Sequence, residues 1–134
     1  YGDCLCDIDV KDMIAYHDMQ GKTATMAVAR PTGRSEALAI DDTGKIRKVQ
    51  DDAWENEAWA NACLYVLNRK VFNILQGNYN LEALLTNHLA EKGELITYKH
   101  EGFWTPVETY RDIVAMENLW NAGSAPWGER NITG

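Results

Sequence analysis

The sequence has no uninterrupted apolar stretch near the roughly 20 residues that a membrane-spanning helix needs, and it carries no recognisable signal peptide. It is short of positive charge: 13 Lys and Arg stand against 20 Asp and Glu, a formal net charge of −7. A surface of that sign repels a phosphate backbone, which argues against nucleic-acid and anionic-membrane binding as functions. Only three cysteines occur, Cys4, Cys6 and Cys63. An odd count of this size does not make a disulfide framework and fits reduced thiols in a cytoplasm. Cys4 and Cys6 are spaced as a metal-binding pair, but the second pair or His partner of a zinc site is not found at a recognisable spacing. Long linkers, low-complexity tracts and internal repeats are also missing, so the 134 residues read as one globular domain's worth of chain.

What is present is an alternation of helices and strands. Residues 9–20 place Val10, Met13, Ile14 and His17 at helical spacing, behind Asp7 or Asp9 as N-cap and before Gly21 as C-cap. Residues 22–29, small and β-branched, read as a buried strand. Two short segments joined through Asp42-Thr43-Gly44 read as a hairpin. Residues 58–67 are apolar enough for a central strand. Asn68 caps a short helix with Val71, Phe72 and Leu75, closed by Gly77. Asn80 caps another with Leu81, Leu84, Leu85, His88 and Leu89, closed near Gly93. A strand over 95–100 follows, and then Thr109 and Asp112 start a last helix bearing Ile113, Met116, Leu119 and Trp120. The final segment has little periodicity and is expected to be an arm, so the chain divides into a domain over 1–118 and an arm over 119–134.

The opening Tyr1-Gly2-Asp3, a strand end running into a helix, has the form of a metal-binding corner of an α/β sheet. Together with Trp59-x-Asn61, GFWTPVETYRD at 102–112 and LWNAGSAPW at 119–127, it resembles the C-terminal half of a sugar-1-phosphate nucleotidyltransferase, with the last two blocks similar to the glucose-1-phosphate cytidylyltransferase branch. In that family YGDG…DID, PPGRFGAL, EKP, WINGG, GFWxPMDTxRD and LWxxGxAPW occur in this order. The resemblance implies the C-terminal part of a mixed-sheet, Rossmann-like, three-layer α/β fold. It implies transfer of CMP from CTP to a sugar 1-phosphate such as glucose 1-phosphate, with release of pyrophosphate. Mg²⁺ is the implied cofactor and a homo-oligomer the implied assembly. The family's N-terminal half, with its GGxGTR loop and phosphate-gripping lysine, is not found in this sequence, so the isolated chain is expected to be inactive.

Position by position, the resemblance makes Asp3 and Glu108 the metal ligands, Asn61 the sugar-contacting residue, and Gly33 and Arg34 the PGR turn. Asp51 falls on the Glu of EKP as a further substrate-binding position. The departures are concentrated at the same places. Asp52 falls on the sugar-phosphate-binding Lys, Cys4 on the Gly after the first Asp, Ala62 and Cys63 on the Gly-Gly after Asn61, and Glu36 on the Gly of GRFG. Exchanging a phosphate's cation for an anion weakens its binding, and side chains in place of glycines crowd a pocket. A catalytically silent homologue and a stand-alone oligomerising binding domain are therefore carried as alternatives.

Each of these positions also has a purely structural reading. Asp3 can end a strand, Glu108 suits a helix dipole, and Asn61 within an apolar strand needs a hydrogen-bond partner if buried. His17, His88 and His100 read as packing or boundary residues, and the five tryptophans as core and subunit contacts.

Overall fold

β2 (Ala24–Ala29) is buried along its whole length and lies at the centre of a three-stranded sheet. The computed structural model describes residues 2–30, 39–47, 59–74 and 80–128. β6 (Leu95–His100) runs parallel to β2 on one side, and β5 (Ala60–Leu67) runs antiparallel on the other. A strand covered on both faces must be apolar at consecutive positions, which is why Ala24 to Ala29 do not alternate with charged residues. Residues 58–67 were expected to be central; among the described residues β5 is instead an outer strand. It is half-buried over much of its length, whereas β2 is buried at every position.

The two faces of β2 feed two cores. Ala24, Met26 and Val28 pack with Trp59, Val71, Leu84, Leu85, Leu89 and Leu95. Ala27 and Ala29 pack with Ile8, Met13, Ala60, Ala62 and Trp104. This is the period-2 alternation of a strand, and it puts helices on both sides of a mixed sheet, the three-layer α/β arrangement expected from sequence.

On one side lies α1 (Val10–Gln20), capped by Asp9, whose carboxylate accepts from the Lys11 and Asp12 amides at 2.9 and 3.2 Å. Gly21, at φ +62°, ends it in the left-handed conformation. Only Met13 and His17 of the expected apolar face are buried; Val10 and Ile14 remain 49% and 44% exposed. His17 meets the sheet through a 2.8 Å hydrogen bond between Nδ1 and Thr25 Oγ1. On the other side, Asn80 caps α3 (Leu81–Ala83), which continues as a π-helical segment (Leu84–Leu89) that buries Leu84, Leu85 and Leu89. His88 lies on its exposed side. The single turn of α2 (Val71–Ile74) starts after Asn68, whose side chain accepts from the Lys70 amide. Leu75 and Gly77, expected in that helix, lie outside the described residues.

β3 (Ala39–Ile40) and β4 (Ile46–Arg47) form the expected hairpin. Asp41 Oδ1 accepts from the Thr43 and Lys45 amides, and Gly44 takes φ +81° in the turn. A separate two-stranded ladder pairs β1 (Cys4–Cys6) antiparallel with β7 (Trp104–Pro106), setting Cys4 opposite Pro106 and Cys6 opposite Trp104. α4 (Tyr110–Asn121) follows through a complete Thr109–Asp112 capping box. No residue of α4 is buried, and Tyr110 and Trp120 are 80% and 59% exposed. Beyond it the chain turns back, and the Trp127 ring lies 5.4 Å from that of Phe103, so GFW and APW meet within the chain. No helix among the described residues is long and apolar enough to cross a membrane.

Candidate active-site cleft

Between the β1–β7 ladder, the start of β5 and the N-terminal end of α3 lies a cleft of about 420 Å³. Asp3, Asn61 and Glu108 all line it, although they are far apart in sequence. Two local devices bring the carboxylates to one wall. The β1–β7 ladder fixes the register, and one further hydrogen bond, Val107 N–H to the Asp3 carbonyl at 2.7 Å, extends it to the residue next to Glu108. Asp112 then fixes the backbone at Glu108 and Thr109, accepting from their amides at 3.1 and 2.8 Å. The Thr109 hydroxyl first, and then these two amides, hold the Asp112 carboxyl below its ordinary pKa.

Asn61 reaches the cleft from β5 with its amide engaged inside the chain. Nδ2 donates to the Tyr65 hydroxyl at 2.6 Å and to Glu82 Oε1 at 3.4 Å, while Oδ1 accepts from the Cys63 amide at 2.9 Å. It therefore has the structural hydrogen bonds expected of a polar residue in an apolar strand and also a place on the cleft wall. The register of β5 against β2 shifts between Met26 and Val28. On the β5 side of that irregularity sits Cys63 at φ +60°, the non-glycine residue in the left-handed region among those described.

That backbone turn carries the Cys63 thiol toward β1. The Asp3 carboxylate and the Cys4 and Cys63 sulfurs all lie within 4.8 Å of one another, with Cys4 Sγ donating to Asp3 Oδ1 at 3.6 Å. Burial and then the neighbouring Cys63 push the Cys4 thiol up to about 12; burial also raises that of Cys63. None of the three cysteines is in a disulfide. The Cys4–Cys6 spacing singled out in the sequence is thus not the pairing that forms. A strand places residues i and i+2 on one face but about 6.5–7 Å apart, whereas the bulge in β5 delivers a nearer partner. The signal available in the sequence was that Cys4 and Cys63 both stand where the resembling family has glycine.

The described lining residues include the acids Asp3, Glu82 and Glu108 and no Lys or Arg. Arg30, which projects from the end of β2, instead stacks over Trp59 at 4.0 Å and pairs with Glu101 at 3.8 Å. Such a cleft attracts a cation. Gly33, Arg34, Asp51 and Asp52 lie outside the described residues. His100, expected as a packing or boundary residue, joins β6 to the segment before α1: its Nε2 lies 2.8 Å from Asp7 Oδ1 and 3.1 Å from the Phe103 carbonyl.

The mixed α/β sheet with helices on both faces matches the fold of a solved nucleotidyltransferase structure. A Bacillus anthracis protein assigned as a glucose-1-phosphate thymidylyltransferase, in complex with a sucrose, superposes with a TM-score of 0.66. It does so at 19% identity, over 92% of this chain and 52% of that one. The sequence comparison is more specific: the chain is 39% identical over 130 residues to the glucose-1-phosphate cytidylyltransferases of Salmonella typhi and Salmonella typhimurium. The match takes in 95% of this chain and 49% of each relative, so the chain spans about half the length of the curated relatives it matches. No protein-family model matches the chain. The resemblance read from the motif blocks is shown: the chain is similar, over nearly its whole length, to about half of a glucose-1-phosphate cytidylyltransferase.

Proposed function

We propose that this chain forms the sugar-phosphate side of a nucleotidyltransferase that transfers CMP from CTP to a sugar 1-phosphate such as glucose 1-phosphate, releasing pyrophosphate. The observation that carries the reading is the meeting of Asp3, Asn61 and Glu108 on one cleft, an arrangement for which the local sequence gives no other reason. In the reaction a phosphate oxygen of the sugar phosphate attacks the α-phosphate of CTP and pyrophosphate leaves, so positioning and charge compensation are the protein's contribution. Asp3 and Glu108 are hard oxygen donors in an acidic cleft and fit Mg²⁺. Bound there, the ion would offset the negative charge of nucleotide and sugar phosphate. Asn61, already oriented by Tyr65 and Glu82, contributes a polar edge to the sugar. Asp51, Gly33 and Arg34 complete the sugar-phosphate side in this reading, and the nucleotide-gripping residues come from sequence outside this chain. The same reading places the protein in the cytoplasm as a homo-oligomer.

Asp52 favours a second reading, a catalytically silent homologue, because it sets a carboxylate where the resembling family binds phosphate through a lysine. One assay separates the two. The full gene product that carries this chain is incubated with CTP, glucose 1-phosphate and Mg²⁺, and pyrophosphate release is followed. The nucleotidyltransferase reading expects release that falls by at least about a hundredfold in Asp3→Asn and Glu108→Gln. No release from the unaltered protein supports the silent reading.

A further inference from the structure

We propose that Asp3, Cys4 and Cys63 form a site for a thiophilic divalent cation of the zinc class, with two thiolates and one carboxylate as ligands and a fourth position open to the cleft. The three donors come from two elements that meet only in the fold, the start of β1 and the irregularity in β5, and their ligand atoms all lie within 4.8 Å of one another. Tetrahedral zinc with Zn–S of about 2.3 Å and Zn–O of about 2.0–2.2 Å requires oxygen–sulfur separations near 3.6 Å and a sulfur–sulfur separation near 3.8 Å. Cys4 Sγ already stands 3.6 Å from Asp3 Oδ1, and the other two separations lie within 4.8 Å, so the donors close by no more than about 1.2 Å to reach tetrahedral geometry.

Three surrounding features suit the same ion. Asn61 Oδ1 accepts the Cys63 amide at 2.9 Å and fixes the backbone that aims the thiol, the kind of support that metal ligands receive from a neighbouring shell. Glu82 and Glu108 line the same cleft and add negative potential. Three protein ligands beside open space match zinc sites that keep one position for water or substrate. Binding releases the two thiol protons to solvent as the sulfurs become thiolates. The inference stands on these side chains and does not depend on the nucleotidyltransferase reading. The two donor sets share Asp3, so a thiophilic ion here withdraws that carboxylate from Mg²⁺.

The test is a titration of the chain with Co²⁺, its thiols kept reduced by a phosphine, followed by displacement with Zn²⁺. One ion per chain is expected, with thiolate-to-cobalt charge-transfer absorption that Zn²⁺ removes stoichiometrically. Cys4→Ser and Cys63→Gly should each weaken binding by at least about 10–100-fold and diminish the band, and Cys6→Ser should leave both unchanged. Cys63→Gly relieves a left-handed backbone, so its loss of binding is not a loss of folding, and circular dichroism checks this. Absence of the charge-transfer band in the unaltered chain would overturn the proposal. So would an ion retained equally in Cys4→Ser and Cys63→Gly, which would place it elsewhere.

Discussion

The Val107 amide donates to the Asp3 carbonyl at 2.7 Å, one step beyond the β1–β7 ladder, and this bond sets Asp3 beside the residue that precedes the second cleft carboxylate. The segment is held from its far side by the Thr109–Asp112 capping box. Losing the cap should therefore loosen both α4 and Glu108. Thr109→Ala is expected to lower stability by about 1 kcal/mol, and Thr109→Ser to retain most of it. Urea denaturation of the two variants measures the difference; equal losses would show that the hydroxyl bond to the Asp112 amide contributes nothing.

Cys63 holds φ +60°, a conformation that costs an L residue about 1 kcal/mol or more relative to glycine. Cys63→Gly should raise stability by roughly that amount, and Cys63→Ala, which keeps the Cβ, should not. The Asn61 bond to the backbone amide survives in both variants, so the comparison isolates the backbone. Thermal unfolding in the presence of a chelator provides the measurement, since a bound metal would reverse the order.

Glu94 ties the start of β6 to β2, accepting from the Thr23 hydroxyl at 2.8 Å and the Thr23 amide at 3.1 Å. The hydroxyl bond, ahead of the other causes, lowers its pKa below the usual 4.5. A carboxyl depressed in the folded state contributes stability that is present above its unfolded pKa and is lost as pH falls through its folded pKa. The stability difference between the unaltered chain and Thr23→Val should accordingly be widest above about pH 5 and narrow toward pH 3. Denaturant titrations across that range check it, and a difference that widens on acidification would give the wrong sign.

Where local rules decide the outcome, the sequence was legible. Asp9 and Asn80 cap their helices, Gly21 and Gly93 end them at positive φ, and Thr109 with Asp112 makes a reciprocal cap. The buried run of β2 could be read because two-sided burial removes alternation. The place of β5 could not, because strand order depends on which neighbour fills each face, and both strands are apolar. The irregular helix over Leu84–Leu89 was also hidden: leucines at 84, 85 and 89 satisfy α and π geometry alike. Asp3, Asn61 and Glu108 were singled out through the resemblance, since no local pattern links residues so far apart, and all three line the cleft. Cys63 was missed as a partner of Cys4 because its orientation depends on a single left-handed residue, which periodicity does not register.

Mn²⁺-induced relaxation of the chain's backbone amide resonances tests the central claim, that Asp3 and Glu108 share one hard cation, most directly. Paramagnetic broadening falls off steeply with distance, so the signals that vanish first locate the ion, and the manganese ion takes the same carboxylate ligands as magnesium. The account predicts early loss at Asp3, Cys4, Val107 and Glu108 together, reversed by excess Mg²⁺ and abolished in Asp3→Asn and Glu108→Gln. Broadening confined to one of the two segments, or centred on other acidic residues and indifferent to both substitutions, would contradict it.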